Sequence, residues 1–369
     1  MLAVVKTTTA DGPTGTEVRE CPNPAPGPDE ILIRVAAAAI CGTDKHIYHW
    51  DPSIRDSMTL PRIYGHEFCG FVEEIGERAH REGINVGDYV SAEMHVVCGE
   101  CPQCRSGNGH ICIRTKIYGL HEDGAFAEFV KVPASNVIKL GPYVPLRVGA
   151  FLDALGNAVH TTQICDLAGK SVLITGFGPI GAMAAAIAEH SGAATVIVTD
   201  VNDAALESAR RWAASRDLGN FHAFNIGDPR DAKRAIEAIT DGVGVDMVCE
   251  MSGASAAVNF ALDVVRMGGI LSLLGLPRGR ALTIDDYTKN VIFKGVTLQG
   301  IIGRRMYGTW QRMLSLLRSG LDVEWVVQAV FDSLREFHDG MARFDRKEAL
   351  KVVFFPEGEA AAQARLGRQ

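Results

Sequence analysis

Four cysteines within one short segment form the strongest chemical pattern in the sequence. CGECPQCRSGNGHIC, residues 98–112, supplies Cys98, Cys101, Cys104 and Cys112, with two gaps of two residues and then a gap of seven. Gaps of two residues let successive thiolates reach one ion at about 2.3 Å, and four sulfurs complete a tetrahedral Zn²⁺ shell. The segment therefore predicts a structural zinc, with His110 as a less favoured ligand than Cys112. Four free loop cysteines are the alternative.

A glycine-rich turn is the second pattern. GFGPIG, residues 176–181, follows the strand-like run SVLIT and opens the alanine-rich run PIGAMAAAIAEH. In this context the pattern is typical of dinucleotide binding. Gly176 makes the tight turn, Gly178 lets the backbone approach the pyrophosphate, and Gly181 allows close packing of helix on strand. The pyrophosphate is expected at the positive end of the helix.

The strand that follows this helix ends in Asp200. A carboxylate at that position accepts hydrogen bonds from the adenosine ribose hydroxyls. It would repel a 2′-phosphate, and no basic residue follows within Asp200-Val201-Asn202-Asp203. The sequence therefore favours NAD over NADP, whereas the alternative is a glycine-rich turn with a structural aspartate.

A third set of residues is dispersed along the chain. CGTDKHIYHWD contains Cys41, YGHEFCG contains His66 and Glu67 about 25 residues later, and FLDALGNAVH contains Asp153. A thiolate, an imidazole and carboxylates around one Zn²⁺ that keeps an open position make a catalytic site. Taken alone, each residue has a commoner structural interpretation. A cysteine is usually a small buried side chain, a histidine is usually hydrogen-bonded within the core, and an aspartate often caps a helix. The set predicts a catalytic zinc because a nucleotide-binding pattern accompanies it.

Composition limits the classes of protein that remain. The chain has 369 residues, 47% of them hydrophobic and 22% charged, with a formal net charge of −7. This length suits two domains, and the acidic balance without a basic run disfavours nucleic acid as a partner. Nine cysteines without a secretion signal favour thiols and metal sites over disulfides. We expect a soluble cytoplasmic protein with no membrane span.

The elements that would position these residues change in character along the chain. Residues 1 to about 150 show short strand-like runs separated by turn residues. From about 155 to 302, apolar strands alternate with helical runs, which is typical of a buried parallel sheet. The remainder is predicted to be mainly helical with one late strand, ALKVVFF, and the tail EGEAAAQARLGRQ is expected to be mobile.

Together these residues resemble the zinc-dependent medium-chain dehydrogenases over essentially the whole chain. The resemblance rests on the motifs above and on the stretches ICGTDKHIYHWD, GHEFCG, LGNAVHT, VTDVND, EMSGA, VIFKGVTLQGIIGR and MYGTW. It implies an α/β protein with a GroES-like, β-rich catalytic domain at 1–154 and 303–369. That domain is split around a Rossmann domain, a doubly wound parallel sheet at 155–302, with NAD in the cleft between them.

The resemblance also implies roles for single residues. Cys41, His66, Glu67 and Asp153 surround the catalytic zinc, which lowers the pKa of the substrate hydroxyl before hydride leaves for NAD. Thr43 and His46 match the proton relay of the family, whereas His49 does not. The residues at positions that contact NAD in the family are Ile180, Asp200, Leu274, Gly275, Leu276, Ile301 and Ile302. Ala205 replaces an arginine found near the adenosine in close relatives, and Arg210 is a candidate substitute.

Several of these stretches, HIY-x-WD and GNAVH among them, are particular to family members that oxidise L-threonine at its 3-hydroxyl. For that small-molecule substrate, Arg304 is our hypothesis for the carboxylate partner, because a guanidinium binds a carboxylate bidentately. Alternatively, Arg304 and Arg305 are a solvated or subunit-contact pair. A polyol or diol dehydrogenase, of the 2,3-butanediol or sorbitol type, is the second interpretation, and a binding protein without catalysis is the third.

The run VIFKGVTLQGII, residues 291–302, predicts an apolar strand at the edge of the Rossmann sheet. An apolar strand left as a free edge is an aggregation hazard. We therefore expect a homo-oligomer, and the resemblance implies a tetramer.

Overall fold

A computed structural model describes residues 1–277, 279 and 281–367. The chain divides into two compact units, one formed by Met1–Ala154 with Asp322–Gln369 and the other by Leu155–Leu321. The second boundary differs from the sequence-based one, which places residues 303–321 with the first unit. Two contacts explain the difference: Arg312 donates to Gln163, and His190 shares a 2.8 Å hydrogen bond with Ser319.

The strands are numbered here in chain order. They are β1 Leu2–Lys6, β2 Thr16–Glu20, β3 Glu30–Ala39, β4 Arg62–Ile63, β5 Phe68–Ile75, β6 Tyr89–Ala92, β7 His95–Val96, β8 Lys116–Ile117, β9 Phe129–Pro133, β10 Val137–Lys139, β11 Ser171–Thr175, β12 Thr195–Asp200, β13 Phe221–Asn225, β14 Val245–Glu250, β15 Val265–Leu273, β16 Thr297–Gly300, β17 Val327–Phe331 and β18 Lys351–Phe354.

The helices are numbered in the same way. They are α1 Gly12–Gly15, α2 Gly42–Tyr48, α3 Pro102–Arg105, α4 Leu146–Gly149, α5 Leu152–Thr162, α6 Pro179–His190, α7 Asp203–Ser215, α8 Pro229–Ile239, α9 Ser255–Val264, α10 Gly308–Arg318, α11 Phe337–Asp345 and α12 Glu359–Leu366. Short 3₁₀ turns and one π-helical turn, Thr288–Phe293, complete the description.

The first unit is built from β-sheets. Its largest sheet has the order β10-β6-β5-β3-β18-β17, with β9 also paired to β3, and a smaller sheet has the order β2-β1-β4. The central strand β3 reads EILIRVAAAA and is almost wholly buried, with paired strands along both of its edges. A core that includes Tyr64, Phe126, Phe337 and Phe354 packs against this sheet. The β-rich character predicted for this unit is confirmed.

The second unit is a six-stranded parallel sheet in the order β13-β12-β11-β14-β15-β16. With strands numbered from β11, this is the 3-2-1-4-5-6 order of the doubly wound dinucleotide-binding fold. Its ligand site is expected beyond the carboxyl ends of the strands, where the strand order reverses next to β11. The predicted Rossmann architecture is confirmed.

Three local predictions differ from the structure. The tail forms α12 instead of being mobile, and Arg147 binds Glu359 bidentately at 2.7 and 2.8 Å at its start. Residues 291–302 contain only the short strand β16, because Thr288–Phe293 is π-helical. The C-terminal region contributes β17 in addition to the predicted β18, and the two pair in parallel.

No helix among the described residues is both long and apolar enough to cross a membrane.

Candidate functional site

The four cysteines of the loop between β7 and β8 converge as the sequence predicts. Their ligand atoms all lie within 4.8 Å of one another. Four of the sulfur–sulfur distances are 4.0 Å for Cys98–Cys104, 3.5 Å for Cys101–Cys104, 3.8 Å for Cys101–Cys112 and 3.5 Å for Cys98–Cys112. A tetrahedron with metal–sulfur bonds of about 2.3 Å has edges of about 3.8 Å. The thiols therefore fit a closed zinc site without rearrangement.

Groups around this lobe favour thiolates. The Cys101 amide donates to Cys98 Sγ at 3.4 Å, and the Arg114 guanidinium donates to the same sulfur at 3.3 Å. Hydrogen bonds from the Glu100 amide and from Arg114 lower the pKa of the Cys98 thiol to about 5. Such donors orient and tune metal ligands. Within the described chain, His110 is not a member of the converging group.

The second set, Cys41, His66 and Glu67, also comes together although it is dispersed in the sequence. One ligand atom from each lies within 4.8 Å of the others. Cys41 caps the start of α2, where its amide donates to Asp44 Oδ2 at 2.8 Å. His66 and Glu67 immediately precede β5, which pairs with β3. The ends of two neighbouring strands thus position the thiol, the imidazole and the carboxylate.

The two carboxylate oxygens of Glu67 differ in their hydrogen bonding. Its Oε2 accepts from the buried Lys351 Nζ at 2.5 Å, and Lys351 also donates to the Ile40 carbonyl at 3.1 Å. Its Oε1 is buried and has no hydrogen-bond partner among the described residues. Burial raises the pKa of the Glu67 carboxyl, and the Lys351 ammonium opposes that shift. An orphaned carboxylate oxygen beside a thiol and an imidazole is what a bound cation would satisfy.

The electrostatics of this group also favour a cation. Burial lowers the pKa of His66, but the Cys41 thiol and the carboxylates of Asp44 and Asp153 reverse this and raise it well above its usual value. The site thus attracts positive charge although it is buried, and Zn²⁺ with thiolate, imidazole and carboxylate ligands fits its donors.

Asp153 lies at the start of α5, and the structure groups it with two residues that sequence reasoning missed. Its carboxylate, Glu93 and His95 offer ligand atoms within 4.8 Å of one another. Glu93 is fully buried, and its Oε1 is 2.9 Å from His95 Nδ1. The carboxylate also acts electrostatically on Glu67. Glu93 and His95 lie in SAEMHVV, where a glutamate two residues before a histidine was the available signal.

Thr43 and His46 occupy α2, directly after Cys41. Positions three residues apart share one face of a helix. His46 is 52% exposed at its side chain, and its Nδ1 is 3.4 Å from Asp51 Oδ2. His49, which the sequence excludes from the relay, is instead held between Asp11 and Asp345 at 2.6 and 2.7 Å.

In the second unit, the glycine-rich turn has the predicted geometry. Gly176 adopts φ +91°, a conformation that favours glycine. A Cβ on Gly181 would lie 2.0 Å from the Gly176 carbonyl oxygen, so the close packing of α6 on β11 requires glycine there. Gly178 is exposed, and α6 begins at the next residue. The exposed amide end of this twelve-residue helix suits a diphosphate.

Asp200 ends β12 beside this turn. Its Oδ2 accepts from the Phe177 amide at 2.7 Å and its Oδ1 accepts from the Asn202 amide at 2.9 Å. The neighbouring Asp203 is held by Asn225 Nδ2 at 2.7 Å. Arg210, the candidate substitute for the arginine missing at Ala205, donates to the Ala223 carbonyl of β13 at 3.0 Å.

The other residues predicted to contact NAD lie in the same unit. Leu276 and Ile302 are exposed, at 87% and 61%, whereas Ile301 is buried at 8%. The amides of Leu274 and Gly275 both donate to the Glu250 carbonyl at 3.0 Å, which places this loop directly after the carboxyl end of β15. Their position agrees with the edge where such folds bind dinucleotides.

Arg304 is 1% exposed, and it packs against the first two residues of the GNAVH motif, Gly156 and Asn157. Its side chain crosses Gly156, where a Cβ would lie 2.3 Å from Arg304 Cδ. Its Nη1 donates to Asn157 Oδ1 at 3.3 Å. The motif therefore provides space for the arginine and a polar partner for its guanidinium.

Comparison with known proteins agrees with the fold and the sites described above. Residues 27–142 match the alcohol dehydrogenase GroES-like domain, and residues 179–319 match the zinc-binding dehydrogenase family. The L-threonine 3-dehydrogenase of Caldanaerobacter subterraneus subsp. tengcongensis is 42% identical over 358 residues, covering 96% of this chain and 99% of that protein. The Bacillus subtilis protein of the same name is 40% identical over 347 residues, covering 94% and 96%.

A solved structure shows the same fold. The alcohol dehydrogenase TADH from Thermus sp. ATN1 superposes with a TM-score of 0.82 at 31% identity, covering 96% of this chain and 100% of that one. Its similarity extends over both units, as do the sequence matches above. The chain therefore belongs to the zinc-binding, medium-chain alcohol dehydrogenase family.

Proposed function

We propose that this protein oxidises the 3-hydroxyl of L-threonine to give 2-amino-3-oxobutanoate, with NAD as the hydride acceptor and zinc as the catalytic metal. The observation that carries the proposal is identity of 40–42% to proteins named L-threonine 3-dehydrogenase over nearly the whole chain. The catalytic donor set, the four-cysteine lobe and the dinucleotide fold supply the parts that this reaction needs.

The two cofactors supply a Lewis acid for the substrate oxygen and an acceptor for hydride. Cys41 and His66 would hold the catalytic zinc, with the unpartnered oxygen of Glu67 as a third donor, and Asp153 stands beside them as a direct or water-bridged contact. Cys98, Cys101, Cys104 and Cys112 would hold the structural zinc. The oxidation removes one hydride and one proton from the carbinol group.

The proton needs a path to solvent. We assign this path to the Thr43 hydroxyl and the exposed His46 imidazole, which follow Cys41 on α2. A hydroxyl can accept and donate a proton at once, and an imidazole titrates near neutral pH. Asp51 Oδ2 lies 3.4 Å from His46 Nδ1.

Arg304 remains our proposed partner for the threonine carboxylate. Replacing it with lysine should raise the KM for L-threonine by about tenfold, because a bidentate pair becomes a single contact. The KM for 2,3-butanediol, which has no carboxylate, should stay the same and shows that the variant is folded. Steady-state kinetics on both substrates make the comparison, and an unchanged threonine KM would refute the assignment.

Asp200 is the proposed partner of the adenosine ribose. Asp200→Ala should raise the KM for NAD by about 10- to 100-fold with little change in kcat, since hydrogen bonds to a charged acceptor contribute about 1.5–3 kcal/mol. The preference for NAD over NADP should shrink at the same time. Asp203→Ala removes a nearby exposed carboxylate and serves as the matched control. Equal effects of the two substitutions would argue against a specific role for Asp200.

The proposed reaction is tested by following NADH formation from NAD by the zinc-loaded protein. L-threonine is compared with 2,3-butanediol and sorbitol, each with and without a chelator. Chelator-sensitive turnover with a strong preference for threonine is the expected result. A preference for a diol would be consistent with the zinc chemistry but would contradict threonine as the substrate. The protein would then be a polyol or diol dehydrogenase.

We also propose a cytoplasmic homotetramer that acts in threonine catabolism. The support is the edge position of β16, which pairs only with β15 among the described strands. Exposed apolar residues lie near it, with Phe293 70% and Leu298 37% exposed. Sedimentation at micromolar concentration tests the assembly, and a monomer would contradict it.

A further inference from the structure

A polar cavity of about 410 Å³ lies within the second unit, apart from the residues assigned to NAD. Its walls come from the end of α5, from the edge strand β16 and from the start of α10. The polar side chains that line it belong to His160, Gln163, Gln299, Arg305 and Arg312. None of these residues belongs to the glycine-rich turn or to the other predicted cofactor contacts.

The charge around this cavity has one sign. Arg305 and Arg312 are both exposed, and no aspartate or glutamate is among the lining residues. Arg312 donates twice to Gln163 Oε1, at 2.6 and 3.1 Å, which fixes its guanidinium plane. Within the described chain, neither arginine forms an ion pair with a carboxylate.

One further feature adds positive potential. α10 begins at Gly308, so the amide end of an eleven-residue helix borders the cavity. His160 also lines the cavity, with Nδ1 2.9 Å from the Gly303 carbonyl oxygen. Burial lowers the pKa of His160, and the charges of Arg305 and Arg304 lower it further despite that hydrogen bond.

We propose that this cavity binds a tetrahedral oxyanion, either a free inorganic ion or the phosphate group of a small organic molecule. Two guanidinium groups offer several N–H donors in planar forks, which match the oxygens of phosphate and sulfate. Gln163 and Gln299 add neutral polar groups that suit the remainder of a phosphorylated metabolite. The residues that line the cavity include none of the proposed zinc donors and none of the proposed NAD contacts.

The test is calorimetric titration of sodium sulfate into the zinc-loaded protein saturated with NAD, against sodium chloride at matched ionic strength. Sulfate keeps its charge across neutral pH, so protonation does not complicate the result. A double variant, Arg305→Gln with Arg312→Gln, should weaken sulfate binding by at least about tenfold. The control double variant is Arg211→Gln with Arg335→Gln, which removes the same charge from exposed sites and should bind as the parent does.

Glycerol 3-phosphate and inorganic phosphate, titrated in the same way, distinguish the two sources of the oxyanion. Tighter binding of the organic phosphate, lost in the Arg305/Arg312 variant, would identify a metabolite site. Equal loss in both double variants would overturn the proposal, because binding would then reflect net charge alone. Competition between sulfate and NAD would overturn it by assigning the cavity to the cofactor. A changed sedimentation coefficient without sulfate binding would assign the two arginines to a subunit contact.

Discussion

Cys41→Ala is expected to lower kcat for threonine oxidation by roughly 10³-fold or more. The substitution removes the thiolate donor of the proposed catalytic zinc, and Lewis-acid stabilisation amounts to several kcal/mol, with each factor of ten in rate being about 1.4 kcal/mol. The lobe containing Cys98 should keep its metal. We therefore expect metal analysis to give one zinc per chain for the variant and two for the parent.

The matched control is Cys21→Ala. Cys21 is a half-buried cysteine outside both groups of converging ligands, so its loss should leave kcat and zinc content unchanged. Thermal unfolding of both variants separates a loss of metal from a loss of fold. Full turnover by Cys41→Ala, or loss of both zinc ions, would remove Cys41 from the proposed catalytic centre.

Lys351→Met is expected to lower the free energy of unfolding of the first unit by about 3–5 kcal/mol, the usual cost of removing one partner of a buried ion pair. Lys351 is 2% exposed and Glu67 is fully buried, so the remaining carboxylate could not be solvated. Urea-induced unfolding gives the total change. Hydrogen exchange of the amides in β3 and β18 assigns the change to the sheet that carries the pair.

Two companion variants make this prediction specific. Lys351→Met combined with Glu67→Gln should recover much of the lost stability, because no buried charge is then left unpaired. Lys139→Met breaks an exposed pair with Asp88 and should cost less than about 1 kcal/mol. If Lys351→Met is no more harmful than Lys139→Met, the pair contributes little to the first unit.

The parts of the protein that local spacing encodes could be predicted from the sequence. Four cysteines within fifteen residues (98–112) are close enough in sequence to bind one metal ion. The glycine pattern between a strand and a helix indicates both a tight turn and a dinucleotide ligand. The parallel sheet itself follows from the same alternation of strand and helix. The residues that define each of these features are neighbours in the sequence, so no contact between distant residues had to be inferred.

Contacts between distant residues could not be predicted in this way. Glu67 and Lys351 are 284 positions apart, and nothing in GHEFCG or ALKVVFF indicates which buried acid meets which buried base. Glu93 and His95 were missed for the same reason, since burial beside Asp153 depends on how the sheets pack. The helix in the tail depends on a pair between Arg147 and Glu359, which lie 212 positions apart.

The strand order of the first unit also constrains how the protein is made. β18 lies between β3 and β17, so the large sheet cannot be completed until residues after 350 have left the ribosome. The second unit, Leu155–Leu321, is contiguous and can fold while those residues are still being translated. The nucleotide fold can therefore be complete before Lys351 is available to neutralise Glu67, and until then β3 lacks the strand β18 that pairs with it in the finished sheet.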